Sequence, residues 1–154
     1  MTLTYDPFPL IFDSGDEATK FACLAFFDLG DTPPARACRW ALVERQRPDG
    51  AFPSQLDQQR WGMRETVRSA LLMLEAGLPP RGINVAGAVR FVLGHQGPSG
   101  GWSENPALEL PPEQTWLSGR QGVTWLTADV VELLCRVGRG ADPACQRALV
   151  WLRG

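Results

Sequence analysis

Apolar residues recur along this chain at helical spacing, in stretches interrupted by glycine and proline rather than in the strict alternation of a half-buried strand. Counting three, six, seven and ten places on from Thr19, Thr66 and Thr127 gives Ala22, Ala25, Phe26 and Leu29, then Ser69, Leu72, Met73 and Ala76, then Val130, Leu133, Leu134 and Val137. All but Ser69 are apolar, which predicts one buried stripe on each of three helices. Eleven residues after each threonine stands a glycine, Gly30, Gly77 or Gly138. A glycine there suits a left-handed helix cap, and Pro33 and Pro34, Pro79 and Pro80, or Pro143 then forbid the helix from continuing.

Behind each turn a second helix is marked by Ala37, Trp40 and Ala41, by Ala88, Phe91 and Val92, and by Ala148, Trp151 and Leu152, with small, aromatic and apolar residues on one face. Two of these helices run into the same string: Gln46, Gly50 and Phe52, and fifty residues on, Gln96, Gly100 and Trp102. Glycine supplies the positive φ that lets the chain reverse after the proline of each string. The third copy reaches Gly154 before its string. The expected fold is therefore all-α, one domain over residues 1–154 built from three helical-hairpin repeats at about 16–52, 65–102 and 126–154. A chain of 154 residues has room for one sizeable core.

The alanine, aromatic, leucine pattern followed by Gln96, Gly100 and Trp102 resembles the QW repeat of squalene and oxidosqualene cyclases, whose architecture the β-subunits of protein prenyltransferases share. The resemblance covers nearly the whole chain; the second copy fits fully, whereas the first carries Phe52 for the tryptophan. It implies an α/α toroid, with first helices in an inner ring and second helices in an outer one, of which three hairpins make a half to partial barrel. It also implies that Gln96 bonds into the neighbouring helix end and holds Trp102, with Gln46 and Phe52 as the weaker counterpart. These roles are structural. A closed barrel needs more hairpins than three, and the third copy stops on an apolar helix, so a homodimer or a partner chain completing the ring is expected. A fragment of a longer protein would read the same way.

Charge and composition narrow the function classes. The formal charge is −2, from 15 basic and 17 acidic residues, without a run of Lys or Arg, so no nucleic-acid partner is expected. An N-terminal leader and a membrane span are not read either, which makes the expected location cytoplasmic. Cys23, Cys38, Cys135 and Cys145 show no C-x-x-C spacing and are expected as buried thiols. With one histidine, His95, and no cysteine near it, no metal and no cofactor are expected.

Chemistry is sought along the inner helices and the loops above them. Class II cyclases, which the chain resembles, protonate an alkene with an aspartic acid of a D-x-D-D string, and none occurs here. The nearest acids, Asp13, Asp16 and Glu17, are read with Ser14 as a helix-capping box. His95 ends an outer helix and is read as touching solvent. Arg64, Glu65 and Arg68, and Asp129 and Glu132, project inward; Asp129 is read as a first-turn acid satisfying its helix end. The loops 53–64 and 103–125 carry Trp61, Trp116 and Trp125, the candidate walls for an apolar ligand, or else plugs between hairpins. Arg60, Arg64 and Arg120 are the nearby cations for a diphosphate, although scattered loop arginines are usually solvated.

No catalytic residue is assigned, and the isolated chain is not expected to be an enzyme. The leading expectation is a terpene cyclase/prenyltransferase-like repeat protein that binds an apolar, isoprenoid-type molecule at Trp61, Trp116, Trp125, Arg64 and Asp129. The alternatives are a non-catalytic scaffold or partner subunit using its hairpins for protein contact, and a prenyltransferase-like subunit. An aromatic-lined cavity would favour ligand binding; a filled interior or an open groove would favour the scaffold.

Overall fold

The structure, a computed structural model, describes residues 8–15, 17–119 and 122–154. It is mostly helical. Helix α1 (Phe8–Ser14) leads into α2 (Glu17–Phe26) and α3 (Pro33–Glu44); α4 (Met63–Glu75) pairs with α5 (Ile83–Gly94), and α6 (Thr124–Arg136) with α7 (Pro143–Leu152). Each pair packs as a hairpin, and the hairpins stand side by side, α3 against α4, and α4 and α5 against α6. The loops hold two features that the hydrophobic pattern does not predict. One is a ribbon of β1 (Phe52–Pro53) and β2 (Trp61–Gly62), antiparallel with Phe52 opposite Gly62; the other is a 3₁₀ helix over Pro112–Ser118.

Side-chain packing divides the molecule unevenly. The main cluster joins the second and third hairpins through Val67, Met73, Val92, Trp102, Leu126, Val130 and Leu133, none more than 1% exposed. A smaller cluster of Phe21, Leu24, Ala35, Cys38 and Ala76 serves the first hairpin, and Leu42 and Leu78 touch both.

The helix caps fix the repeat register. At the end of α4 the Leu78 N–H donates to the Met73 carbonyl at 2.9 Å, and at the end of α6 Arg139 donates to Leu134 at 2.7 Å, each across a glycine, Gly77 or Gly138, with φ of 77°. This six-to-one bond needs a left-handed residue just before its donor. In the first hairpin the same bond runs from Leu29 to Leu24 at 2.8 Å, and the left-handed residue is Asp28, φ 57°, two residues before Gly30. Aligning the first copy on Thr19 and Gly30 is therefore wrong by two residues. Its buried residues are Phe21 and Leu24, while Ala22, Ala25 and Phe26 are exposed, Phe26 by 83%.

Helix α3 needs a similar correction. Its buried positions are Ala35 and Cys38, in register with Val85 and Ala88 of α5 and with Cys145 and Ala148 of α7. Ala37 and Trp40 face outward, Trp40 with 68% exposure, because tryptophan here occupies the place of Arg90 and Val150 in the later copies. The capping box at Ser14 also gives way, since Ser14 closes α1 and its hydroxyl donates back to the Leu10 carbonyl at 2.7 Å. Asp16 and Arg120 lie outside the described residues.

Candidate functional site

The glutamine turns tie each hairpin to the next. Gln46 Nε2 donates to the Gly50 carbonyl at 2.9 Å and, across the repeat boundary, to the Asn84 carbonyl at 2.8 Å in the first turn of α5. Gln96 repeats this with Gly100 and with Ala144 of α7, both at 2.8 Å. Its Oε1 accepts from Arg147, as Gln46 Oε1 accepts from Asn84 Nδ2. Each glutamine thereby satisfies one carbonyl of its own turn and one of the second helix of the next hairpin, groups that would be costly to leave unpaired.

The turn glycine allows that contact. Gly50 has φ of 93°, and a Cβ placed on it would lie 2.3 Å from the Gly87 carbonyl oxygen of α5. Trp102 is fully buried, and its indole N–H donates to the Val92 carbonyl at 2.8 Å, so the ring is held by α5 and not by Gln96. Phe52, its counterpart, is 3% exposed and has no such donor.

The threonines have a role that spacing alone does not reveal. The Phe52 backbone N–H donates to Thr66 Oγ1 at 2.9 Å, and the Trp102 N–H donates to Thr127 Oγ1 at 3.0 Å. Each Q-turn is thus latched onto the start of the following helix, α4 or α6. Between α4 and the second loop the latch is stronger. Buried Glu104 accepts from the Met63 N–H at 2.5 Å, from Arg64 N–H at 3.1 Å and from Asn105 N–H at 2.9 Å. Gly62 at the helix N-cap has no side chain to do this, so Glu104 caps α4 from the loop that follows its hairpin. Sequence reasoning missed Glu104; the only hint was a carboxylate two residues after Trp102.

Most of the candidate ligand residues are engaged with protein. Trp61 packs on Phe91, ring centres 5.2 Å apart, and on His95 at 4.8 Å. His95 in turn stacks on Phe91 at 4.1 Å and donates from Nδ1 to the Phe91 carbonyl at 2.7 Å, so an exposed histidine closes an aromatic trio against α5. Trp116 and Trp125 meet edge to face at 5.9 Å. Trp116 is 55% exposed and its indole N–H donates to the Glu113 carbonyl, whereas the Trp125 Nε1 is buried with no hydrogen-bond partner.

Arg64 and Trp125 are the second residues of α4 and α6, and Arg68 and Asp129 the sixth, on helices that pack together. Arg64 donates to Glu65 Oε1 at 3.0 Å. Asp129 lies in the second turn of α6 and not the first, so it caps nothing; burial, and then the neighbouring Glu132, push its carboxyl above the usual aspartate range. Down the same side, Arg136 bridges Glu132 on its own helix at 3.0 Å and Glu75 of α4 at 3.3 Å.

The cysteines differ from the expectation of uniform burial. Cys38 and Cys145 are buried, Cys23 is half-buried and Cys135 is exposed at the end of α6. Among the described residues no group of three or more His, Cys, Asp or Glu side chains is placed to hold a metal ion, and no helix is long and apolar enough to cross a membrane. No family model matches the chain, and a search of curated proteins finds no match.

Proposed function

We propose that the chain is a non-catalytic helical-repeat scaffold with the architecture of the cyclase and prenyltransferase barrels, whose hairpins serve protein contact. In this reading α2, α4 and α6 form the inner side of a partial α/α toroid and α3, α5 and α7 its outer side, and a second copy or another protein of the cytoplasm extends the ring. One observation carries it: the interface between the second and third hairpins is filled. Trp102, Leu117, Leu126 and Leu133 occupy the space between the second and third hairpins with at most 1% exposure. Trp61 is engaged by Phe91 and His95. Each outer helix meanwhile turns a large apolar side chain outward, Trp40 at 68%, Ile83 at 83% and Val150 at 68%.

Light scattering with and without squalene or farnesyl diphosphate tests this reading. A defined dimer that Trp40→Asp or Val150→Asp dissociates, with a melting temperature indifferent to lipid, is the expected result. A monomer whose melting temperature rises saturably with isoprenoid would overturn it.

A second reading, an apolar isoprenoid-type ligand at the start of α6, is favoured by the unpartnered Trp125 Nε1 beside exposed Trp116 and by Asp129 one turn further on. The same titration, repeated with Trp116→Ala, separates the two readings.

A further inference from the structure

The third hairpin holds two of the four cysteines, and its fold brings their sulfur atoms together. Cys135 is the last residue but one of α6 and Cys145 the third of α7, ten residues apart across the turn that joins the helices. Within that turn the Arg139 N–H donates to the Leu134 carbonyl at 2.7 Å and the Asp142 N–H to the Arg139 carbonyl at 2.9 Å. A Cβ placed on Gly140 would sit 3.4 Å from the Cys135 Sγ, so that sulfur lies against the turn leading into α7. There the two thiols interact directly, Cys135 serving as hydrogen-bond partner of Cys145. In the other hairpins the same register holds Ala25 and Ala35, or Leu74 and Val85, which have no redox chemistry.

The two thiols differ in a way that orders a reaction. Cys135 is exposed and open to a dissolved oxidant, whereas Cys145 is fully buried in the main apolar cluster. Burial first, and then the neighbouring Cys135, pushes the Cys145 thiol above the ordinary cysteine range, so it stays protonated and out of reach of the oxidant. An accessible sulfur with a sheltered second sulfur beside it is the arrangement of a redox-sensing cysteine and its resolving partner.

We propose that Cys135 and Cys145 form a reversible disulfide when the protein meets a peroxide. The Cys135 sulfur attacks one oxygen of hydrogen peroxide, the O–O bond breaks, and the departing hydroxide takes up the thiol proton as water. Cys135 is left as a sulfenic acid, oxidised by the two electrons that reduce the peroxide. The Cys145 sulfur then attacks the Cys135 sulfur, the S–O bond breaks, and hydroxide leaves with the Cys145 proton as a second water. Two thiols and one peroxide thus give one disulfide and two waters, and a dithiol reductant restores both thiols by exchange. The bond joins α6 to α7 within one hairpin, so the site is independent of the scaffold reading.

The test is mass spectrometry of the folded full chain after a small excess of hydrogen peroxide at neutral pH, with dimedone present to trap sulfenic acid. The wild type should lose two hydrogen masses and yield a tryptic cross-link between peptides 121–136 and 140–147, which dithiothreitol reverses. Cys145→Ala, which installs the residue found at this register in Ala35, should lose the cross-link. Its Cys135 should take up dimedone at about ten times the wild-type yield, since the competing thiol is no longer held in place. Cys135→Ser should show neither product on these peptides. A wild type labelled by dimedone at Cys135 without the cross-link, a pair that peroxide leaves unoxidised, or a cross-link that forms only after unfolding in urea overturns the proposal.

Discussion

Glu104 caps a helix 40 residues before it: its carboxylate accepts the Met63 N–H at 2.5 Å and the Arg64 N–H, and these bonds fasten the second loop onto the N-terminus of α4. Replacing it by alanine strands three buried or half-buried N–H groups, those of Met63, Arg64 and Asn105. Glu104→Ala should lower the unfolding free energy by about 2–3 kcal/mol. Glu104→Gln, which keeps an acceptor but not the charge at the helix end, should cost about half of that. Urea denaturation measures both; equal stability of wild type and alanine variant would mean that the cap is not formed.

Two left-handed glycines are predicted to respond unequally to alanine. Gly50 and Gly77 both have positive φ, but a Cβ on Gly50 strikes the Gly87 carbonyl at 2.3 Å, whereas one on Gly77 meets nothing within 4 Å. Gly77→Ala pays only backbone strain, about 1 kcal/mol. Gly50→Ala must also push the first turn off α5 and should cost about 3 kcal/mol or more. A thermal melt of each variant gives the comparison.

The sign of the pH dependence at Asp129 follows from its raised pKa, caused first by burial and then by Glu132. Folding disfavours the ionised form, so Asp129 lowers stability above the ordinary aspartate range, and the loss is relieved as the pH falls below it. Asp129→Asn should therefore melt roughly 1–2 °C higher at pH 7, a small gain because the group is partly solvated. The difference between variant and wild type should vanish near pH 3. A gain that is the same at both pH values would assign it to something other than the charge.

Cysteine reactivity should sort by exposure. Cys145 is fully buried, and its thiol is pushed up first by burial and then by the nearby Cys135, whereas Cys135 is exposed. An aromatic disulfide reagent should label Cys135 rapidly and Cys145 only on unfolding. Cys135→Ser should remove the fast phase and leave the slow one.

Acid should also act on the cap of α7. Asp142 accepts from the Ala144 N–H at 2.9 Å, a bond that, with Arg139 nearby, holds its carboxyl below the usual range. That stabilisation is present above the ordinary aspartate pKa and disappears as the pH falls through the lowered value. Asp142→Ala should cost about 1 kcal/mol at neutral pH, measured by denaturant unfolding.

The repeated strings were the most legible part of the sequence, and for a physical reason. Gln46, Gly50, Gln96 and Gly100 make bonds to their own turns, so residue type and short spacing express the geometry directly. The first hairpin was the least legible. Its cap uses Asp28 where the other two use glycine, and Thr19 and Gly30 offered a false match, so the stripe drawn through Ala22 and Phe26 fell on the solvent side. Glu104 and the Thr66 and Thr127 acceptors could not be read at all, because their partners lie 14 to 41 residues away.

By itself, then, the sequence determined the helical-hairpin repeat and its turns, since helix periodicity, caps and glycine turns are local preferences of a few residues each. Tertiary structure alone decided which face of α3 is buried, that Trp61 lies against Phe91 and His95, and that Glu65 is buried with an unpartnered oxygen. Burial and partnership are set where two distant segments meet, and no residue carries that information until the hairpins are packed.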